Sequence, residues 1–354
     1  MEEKKEKIRW GILATGSIAA SFAEGVINSS YGKLVAVGSR SQDSADKFAD
    51  KFGGIPNRHA SYQQLLEDDQ VDAIYIATPH PMHKEWAIKA ANAGKHILCE
   101  KPIGLNEAEA KEIVQSAEDN GVFLMEGYMY RCSAQTKKII QIIESGAIGQ
   151  VRSIEASFSF DIGDNLEGRH LNKSLAGGGI LDVGGYPMTL AGLIAGIGSG
   201  SSFLEPLEIK AVGHIGQTGV DEYTSAVAKF DRGITARLSC GVALDEPINA
   251  SITGTKGRLF IPQPWKPSPQ GGTTELHYYP SGAGTPSNKL ESGSLEVIKV
   301  TTEKYLYGAE ADAVALGIRE KCAPYPAMSL EDTLALMRSL DTWRREIGLS
   351  YDSE

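Results

Sequence analysis

Ile8-Arg9-Trp10-Gly11-Ile12-Leu13-Ala14-Thr15-Gly16-Ser17-Ile18-Ala19 is the stretch whose reading decides the fold. Ile8 to Leu13 reads as a short apolar strand, and Ser17 to Ile27 carries Ile18, Phe22 and Val26 at the spacing of one helix face. The turn between them aligns with the dinucleotide pattern G-x-G-x-x-G/A, with Ala14 in the first glycine place, Gly16 in the second and Ala19 in the third. The second place is the one where a side chain would hold the backbone away from a pyrophosphate, and Gly16 keeps it clear. The unbonded N–H groups that open the helix, at Ser17 and Ile18, then face the phosphates. A glycine between a strand and a helix is often only a turn; its place at the first strand-to-helix turn of an alternating chain gives this one weight.

Beyond this turn the alternation is regular. Lys33 to Gly38 is a second strand, Ser44 to Phe52 a helix, Ala73 to Ala77 a strand, and Pro81 opens a helix that runs to about Ala93, where Gly94 supplies the C-terminal cap. After the strand His96 to Cys99, Asn106 and Glu109 form a capping pair for another helix, and Val122 to Met125 is again a strand. Strands and helices in this order imply a doubly wound parallel sheet. The end of the second strand reads Gly38-Ser39-Arg40-Ser41. A carboxylate there would select NAD; a cation and hydroxyls suit the 2′-phosphate of NADP, so NADP is expected, with NAD as the alternative.

Cys99-Glu100-Lys101-Pro102 ends the strand at 96 to 99 with a lysine held by a proline in an extended exit. Ligands bind at the carboxyl ends of such strands, although an isolated lysine in a loop is also an ordinary solvated charge. His80 and His83 are three apart, but Pro81 separates them and nothing completes a metal set, so no metal is expected.

The remaining two thirds change pattern. Ser133 to Glu144 is an amphipathic helix, Val151 to Phe160 alternates, and further strands are expected at 208–215, 223–230, 233–240, 248–253, 257–261 and 275–279, with closing helices at 307–320 and 330–346. Tight turns join several strands, which implies a large, mostly antiparallel open sheet in an α+β domain. A dinucleotide-binding domain over 1–127 and a substrate domain over 128–354 are therefore expected. Gly177-Gly178-Gly179-Ile180-Leu181-Asp182-Val183-Gly184-Gly185-Tyr186 reads as a backbone brought close to a ligand, followed by a helix with Asp182 and Tyr186 on one face. A phenol and a carboxylate so placed can move a proton and orient a hydroxyl; a buried tyrosine bonded to its neighbour is the structural alternative.

At 354 residues and 42% hydrophobic content the chain has core for two domains, and a net charge of −10 argues against nucleic acid or an anionic membrane as partner. Four cysteines without CxxC spacing suit free thiols. Met1 to Lys7 is charged and no apolar run approaches membrane-spanning length, so a soluble cytoplasmic protein is expected.

The turn Ala14 to Ala19, the run Thr78-Pro79-His80-Pro81-Met82-His83, Cys99 to Gly104, Met125 to Arg131 and Gly177 to Tyr186 together resemble the Gfo/Idh/MocA oxidoreductases over essentially the whole chain. Within the family the likeness is to dihydrodiol and sugar dehydrogenases, which share the run Thr218 to Asp221 and the tyrosine at 186, where many relatives carry histidine. The resemblance implies hydride exchange between a nicotinamide and a sugar, polyol or diol. Lys101 and Tyr186 would be catalytic with Asp182 beside them, and Arg131 and Arg169 would be substrate-side donors. Ala14, Thr15, Gly16, Ser17, Ile18, Ser39, Arg40, Thr78, Pro79, His80, His83, Glu100 and Lys101 would meet the cofactor. A homodimer or homotetramer is implied, and substrate recognition by the loops 161–176 and 263–294. A non-catalytic nucleotide sensor on the same fold is the alternative.

Overall fold

A computed structural model describes residues 6–163, 165–199, 201–280 and 295–351. The chain divides into two compact units, one of residues 1–133, 268–271 and 302–333, the other of 134–267, 272–301 and 334–354.

The first unit holds six strands: β1 Ile8–Leu13, β2 Gly32–Gly38, β3 Asn57–His59, β4 Ala73–Ile76, β5 His96–Glu100 and β6 Leu124–Gly127. All pair in parallel, in the order β3-β2-β1-β4-β5-β6. This is the doubly wound order, whose switch point between β1 and β4 lies at the turn after β1. The apolar runs of β1, β4 and β5 are buried because helices cover such a sheet on both faces. Those helices are α1 Ser17–Ile27, α2 Gln42–Lys51, α3 Tyr62–Leu66, α4 His83–Asn92 and α5 Glu107–Asp119. Asn106 caps α5, its side chain accepting from Glu109 N–H at 2.9 Å while Glu109 accepts from Leu105 N–H at 2.8 Å.

The second unit opens with α6 Ala134–Glu144 and β7 Val151–Ser159, followed by the buried helix α7 Gly185–Gly196. The strands β8 Glu208–Ile215, β9 Asp221–Lys229, β10 Thr235–Gly241, β11 Ala250–Gly254, β12 Gly257–Ile261, β13 Gly272–Pro280 and β14 Glu296–Thr302 join β7 in one sheet, ordered β14-β13-β12-β11-β7-β10-β9-β8. β7 and β10 pair in parallel, while β8–β9, β9–β10, β7–β11, β11–β12 and β12–β13 are antiparallel, so the sheet is mostly antiparallel. α7 is apolar on every side and lies wholly in the core, as an all-apolar helix must.

Two helices close the chain, α8 Leu306–Glu320 and α9 Leu330–Glu346. The single boundary after residue 127 read from the sequence differs from the structure, in which α8 returns to the first unit. Asp312 of α8 accepts a hydrogen bond from Ser29 Oγ at 2.6 Å, just beyond α1. No helix among the described residues is long and apolar enough to cross a membrane.

Candidate functional site

In the first unit the carboxyl ends of the parallel strands gather the residues singled out for the cofactor. Ala14 takes a left-handed backbone, φ +87°, and its N–H donates to Gly38 O at 3.0 Å, which folds the chain sharply off β1. Gly16 precedes α1 in an extended conformation, and no side chain caps the helix. A Cβ placed on Gly16 would meet nothing within 4 Å, so the space before the helix is open. The first helical bond runs from Ala20 N–H to Gly16 O, which leaves the preceding amides of Ser17, Ile18 and Ala19 for an anion. Thr15 Oγ1 lies 3.3 Å from Ser39 Oγ, tying the turn to the end of β2. Arg40 beside it is exposed, whereas Ser41 is occupied in capping α2 through Ser44 N–H. Thr78 is buried and its hydroxyl has no hydrogen-bond partner among the described residues. An open cradle, an uncapped helix start and an orphaned hydroxyl on one sheet edge fit a dinucleotide phosphate and its attached riboses.

Lys101 follows β5, half-buried, with a cis peptide to Pro102. Its surroundings are acidic and closed. Tyr75 donates a hydrogen bond to Glu100, which is buried and so braces the strand end from within. Glu126, at the end of β6, accepts from Ile103 N–H at 2.9 Å and from Thr333 Oγ1 at 3.0 Å, and so holds the loop after Lys101. Burial pushes the Glu126 carboxyl up to about 7 against those two donors. Glu310 of α8 is fully buried, with both carboxyl oxygens lacking a hydrogen-bond partner among the described residues; burial first, and then the charge of Glu100, push its pKa well up.

His80 and His83 do not face outward. His83 is fully buried, with Nδ1 2.7 Å from Pro102 O and Nε2 2.8 Å from Thr78 O, so its ring spans the two loops that carry Thr78 and Lys101. It is corrected from a cofactor contact to an internal brace. His80 is also buried, its ring 5.8 Å from that of His83. Among the described residues no three His, Cys, Asp or Glu side chains are grouped to hold a metal.

Arg131 is likewise corrected. Its guanidinium is 0% exposed and donates to Pro326 O at 2.6 Å and Asp332 Oδ2 at 2.7 Å, with Met328 Sδ at 3.2 Å, so it cannot reach a substrate.

In the second unit Asp182 and Tyr186 stand where the chain leaves the glycine run. Ile180–Gly184 is a π-turn that leads directly into α7, so the plain α-helical spacing expected between the two residues gives way to a wider winding. Such insertions occur often at functional sites. Asp182 Oδ1 accepts from Arg169 at 3.2 and 3.3 Å, and its Oδ2 lies 3.7 Å from His170 Nε2. Arg169 is half-exposed, leaving part of its fork for a ligand. Tyr186 is buried against an aromatic wall, with its ring centroid 5.0 Å from Phe158 and 5.7 Å from Trp265. The structure thus brings Asp182 and Arg169 together and adds His170, Phe158 and Trp265, to which the sequence pattern assigns no role. The stretch 281–294 of the expected recognition loop lies outside the described residues, as does residue 164 of the other.

Comparison with known proteins agrees with this reading of each unit. A family model described as the Gfo/Idh/MocA oxidoreductase family, NAD-binding Rossmann fold, matches residues 8–128, and the Gfo/Idh/MocA C-terminal domain model matches 136–260. The chain is 33% identical over 349 residues to trans-1,2-dihydrobenzene-1,2-diol dehydrogenase of Mus musculus, covering 98% of this chain and 99% of that one. It is 30% identical over 337 residues to an NADP(+) D-xylose 1-dehydrogenase of Haloferax volcanii, covering 94% and 95%. Among solved structures, a 3-ketoreductase from Actinomadura kijaniata in complex with TDP-benzene and NADP superposes with a TM-score of 0.80 at 27% identity, covering 97% and 98%.

Proposed function

The chain belongs to the Gfo/Idh/MocA oxidoreductase family, and from that premise we propose that it is an NADP-dependent dehydrogenase acting on the hydroxyl or carbonyl carbon of a sugar, polyol or vicinal diol. The observation that carries this reading is the edge of the parallel sheet: an open phosphate cradle at Gly16, an exposed Arg40 at the end of β2 and Lys101 at the end of β5. When bound, NADP supplies or accepts the hydride at its nicotinamide C4. The amides of Ser17 and Ile18 hold the pyrophosphate, and Arg40 with Ser39 takes the 2′-phosphate through charge-assisted bonds. Thr78 and Pro79 border the cofactor from the neighbouring strand end, while buried His80 and Glu100 support that edge from behind.

Tyr186 exchanges the substrate hydroxyl proton, which contributes on the order of 10²–10⁴-fold in rate. Lys101 supplies a cation against the negative charge that develops on the substrate. Asp182, held by Arg169, accepts from the adjoining hydroxyl, and Phe158 and Trp265 give the carbon skeleton an apolar wall. NADP-dependent turnover on one of a panel of aldoses, inositols and vicinal diols is the expected result. Lys101→Met and Tyr186→Phe should each lower it by about 100-fold, and values within about threefold of wild type for both would defeat the assignment. Arg40→Ala combined with Ser39→Asp should lower the NADP/NAD ratio of kcat/KM by about 10–100-fold, as loss of a charged hydrogen bond does.

The open face of the eight-stranded sheet exposes Val212, Tyr223 and Val227 beside Lys210, Arg237 and Glu155. Apolar residues rimmed by both charge signs suit a second copy of the chain, which supports a homodimer or homotetramer; Val227→Lys should lower the mass seen in light scattering. The four cysteines are free thiols, which suits the cytoplasm.

A further inference from the structure

The turn that carries Asp182 and Tyr186 is held by a carboxyl group that has no part in the chemistry above. Asp221, the first residue of β9, is fully buried. Its Oδ2 accepts from Ile180 N–H at 2.7 Å, the first residue of the π-turn, and its Oδ1 has no hydrogen-bond partner among the described residues. Gly178, at φ +115°, passes so close that a Cβ on it would stand 2.1 Å from Asp221 Oδ1. The same run is tied at two other points. Gly178 N–H donates to His170 O at 2.7 Å, and the Tyr351 hydroxyl donates to Gly177 O at 2.6 Å. Arg344 lies over the Tyr351 ring at 5.3 Å. All these ties lie upstream of Asp182, so each sets the angle at which the π-turn begins.

We propose that Asp221 is a positioning residue for the proton-transferring group: its carboxylate holds the amide end of the π-turn and so sets where Asp182 and Tyr186 stand. The proposal rests on the assignment of Tyr186 made above. An ionised carboxylate holds an N–H more strongly than a neutral acid does, so the state of Asp221 bears on the turn. The groups that favour its ionisation are the Ile180, Asp221 and Gly179 N–H groups and Arg344 of α9, and its charge in turn helps push up the Cys240 thiol of β10, which also feels Glu246 and Asp182. Its neighbour Glu222 lies 3.7 Å from His214 instead. Burial pushes Asp221 up to about 7, with Ile180 N–H and Arg344 working against it, so the carboxylate forms within the neutral range.

Asp221→Asn keeps the shape and removes the charge, and the enzyme with NADPH bound is the material to test. The Tyr186 phenol is read as the phenolate absorbance of each protein minus that of its Tyr186→Phe counterpart, which needs no substrate. In Asp221→Asn its titration midpoint moves, and kcat falls on the order of 10–100-fold, the cost of a misplaced catalytic group. The NADPH dissociation constant stays within about twofold, and the inflection of kcat/KM near neutrality disappears. An unmoved Tyr186 titration overturns the proposal, as does an equal loss of NADPH affinity, which would mark general damage to the fold. If Asp221→Asn does not fold, Tyr351→Phe removes only the hydroxyl on Gly177 O and should move the same titration by less; no movement there also overturns it. Absence of turnover by wild type on every panel substrate would remove the dehydrogenase reading, while the phenol titration would still report on Asp221.

Discussion

Two turns built on glycine do opposite work. At the first, Ala14 to Ala19, a Cβ on Gly16 would meet nothing within 4 Å, and the helix beyond it starts uncapped. At the second, a Cβ on Gly177 would stand 2.5 Å from His170 O, one on Gly178 2.1 Å from Asp221 Oδ1, and one on Gly179 3.0 Å from Gly241 Cα. The first run is small so that something from outside can approach. The second is small because the protein already fills the space. The expectation that Gly177 to Gly179 bring a backbone close to a ligand is therefore corrected: they bring it close to Asp221, His170 and β10.

One substitution made at both runs gives the strongest test. Gly178→Ala forces a Cβ onto a buried carboxylate and strains a backbone at φ +115°, so it should cost about 3–5 kcal/mol, read as a fall in urea midpoint and Tm. Gly16→Ala has room and an ordinary φ of −76°, so stability should change by no more than about 0.5 kcal/mol. Its effect falls on the ligand: NADPH affinity by fluorescence titration should weaken about 10–100-fold, because the methyl group occupies the approach to the pyrophosphate. If Gly16→Ala destabilises the chain and leaves affinity alone, the two runs are not different in kind.

The first unit was legible because each of its signals is local. A continuous apolar strand, a helix with one apolar face and the Asn106–Glu109 cap are each written within a dozen residues. The edge strand β3, Asn57–His59, was not, since a three-residue polar strand has no alternation to read. Catalytic candidates were visible as types, Lys101 before a proline and Tyr186 after glycines. Their supports were not, because the partners are far apart in the chain. Arg131 meets Pro326 and Asp332, Glu126 meets Thr333, and Ile180 meets Asp221. A lone arginine in the run Met125 to Arg131 reads as a donor for substrate until those partners are seen. The π-turn is invisible for a related reason, since its winding is set by the ties at its start and not by the letters within it.

The supports give the two regions something in common. In each unit one segment is held by a buried carboxyl that accepts a backbone N–H, Glu126 for the loop after Lys101 and Asp221 for the turn before Asp182, and burial raises each to about 7. The folded chain keeps these protons where the unfolded chain has released them. Their contribution to stability is therefore complete below about pH 4 and is lost as pH rises to about 7, after which it is constant. Glu126→Gln and Asp221→Asn should each remove a share of that decline on the order of 2 kcal/mol, measured as urea stability at pH 5 minus that at pH 8 relative to wild type. A pH difference identical to wild type in both variants would show that neither carboxyl titrates in this range.

The smallest expected effect is the most specific to this chain. Ala14 stands where the dinucleotide pattern has its first glycine, and the turn has kept the glycine's conformation, φ +87°, rather than reshaping around the methyl group. An L-residue there costs about 1–2 kcal/mol, and a glycine would relieve that while adding about 0.5–1 kcal/mol of unfolded-chain entropy to be overcome. Ala14→Gly should therefore raise stability by about 0.5–1 kcal/mol, seen as a higher urea midpoint with an unchanged slope. Because the Ala14 N–H bond to Gly38 O already holds the turn in shape, NADPH affinity should stay within about twofold. A rise in affinity without a rise in stability would mean that the strain is released only when the cradle is filled. Gly16 would then not be the sole determinant of how open that cradle is.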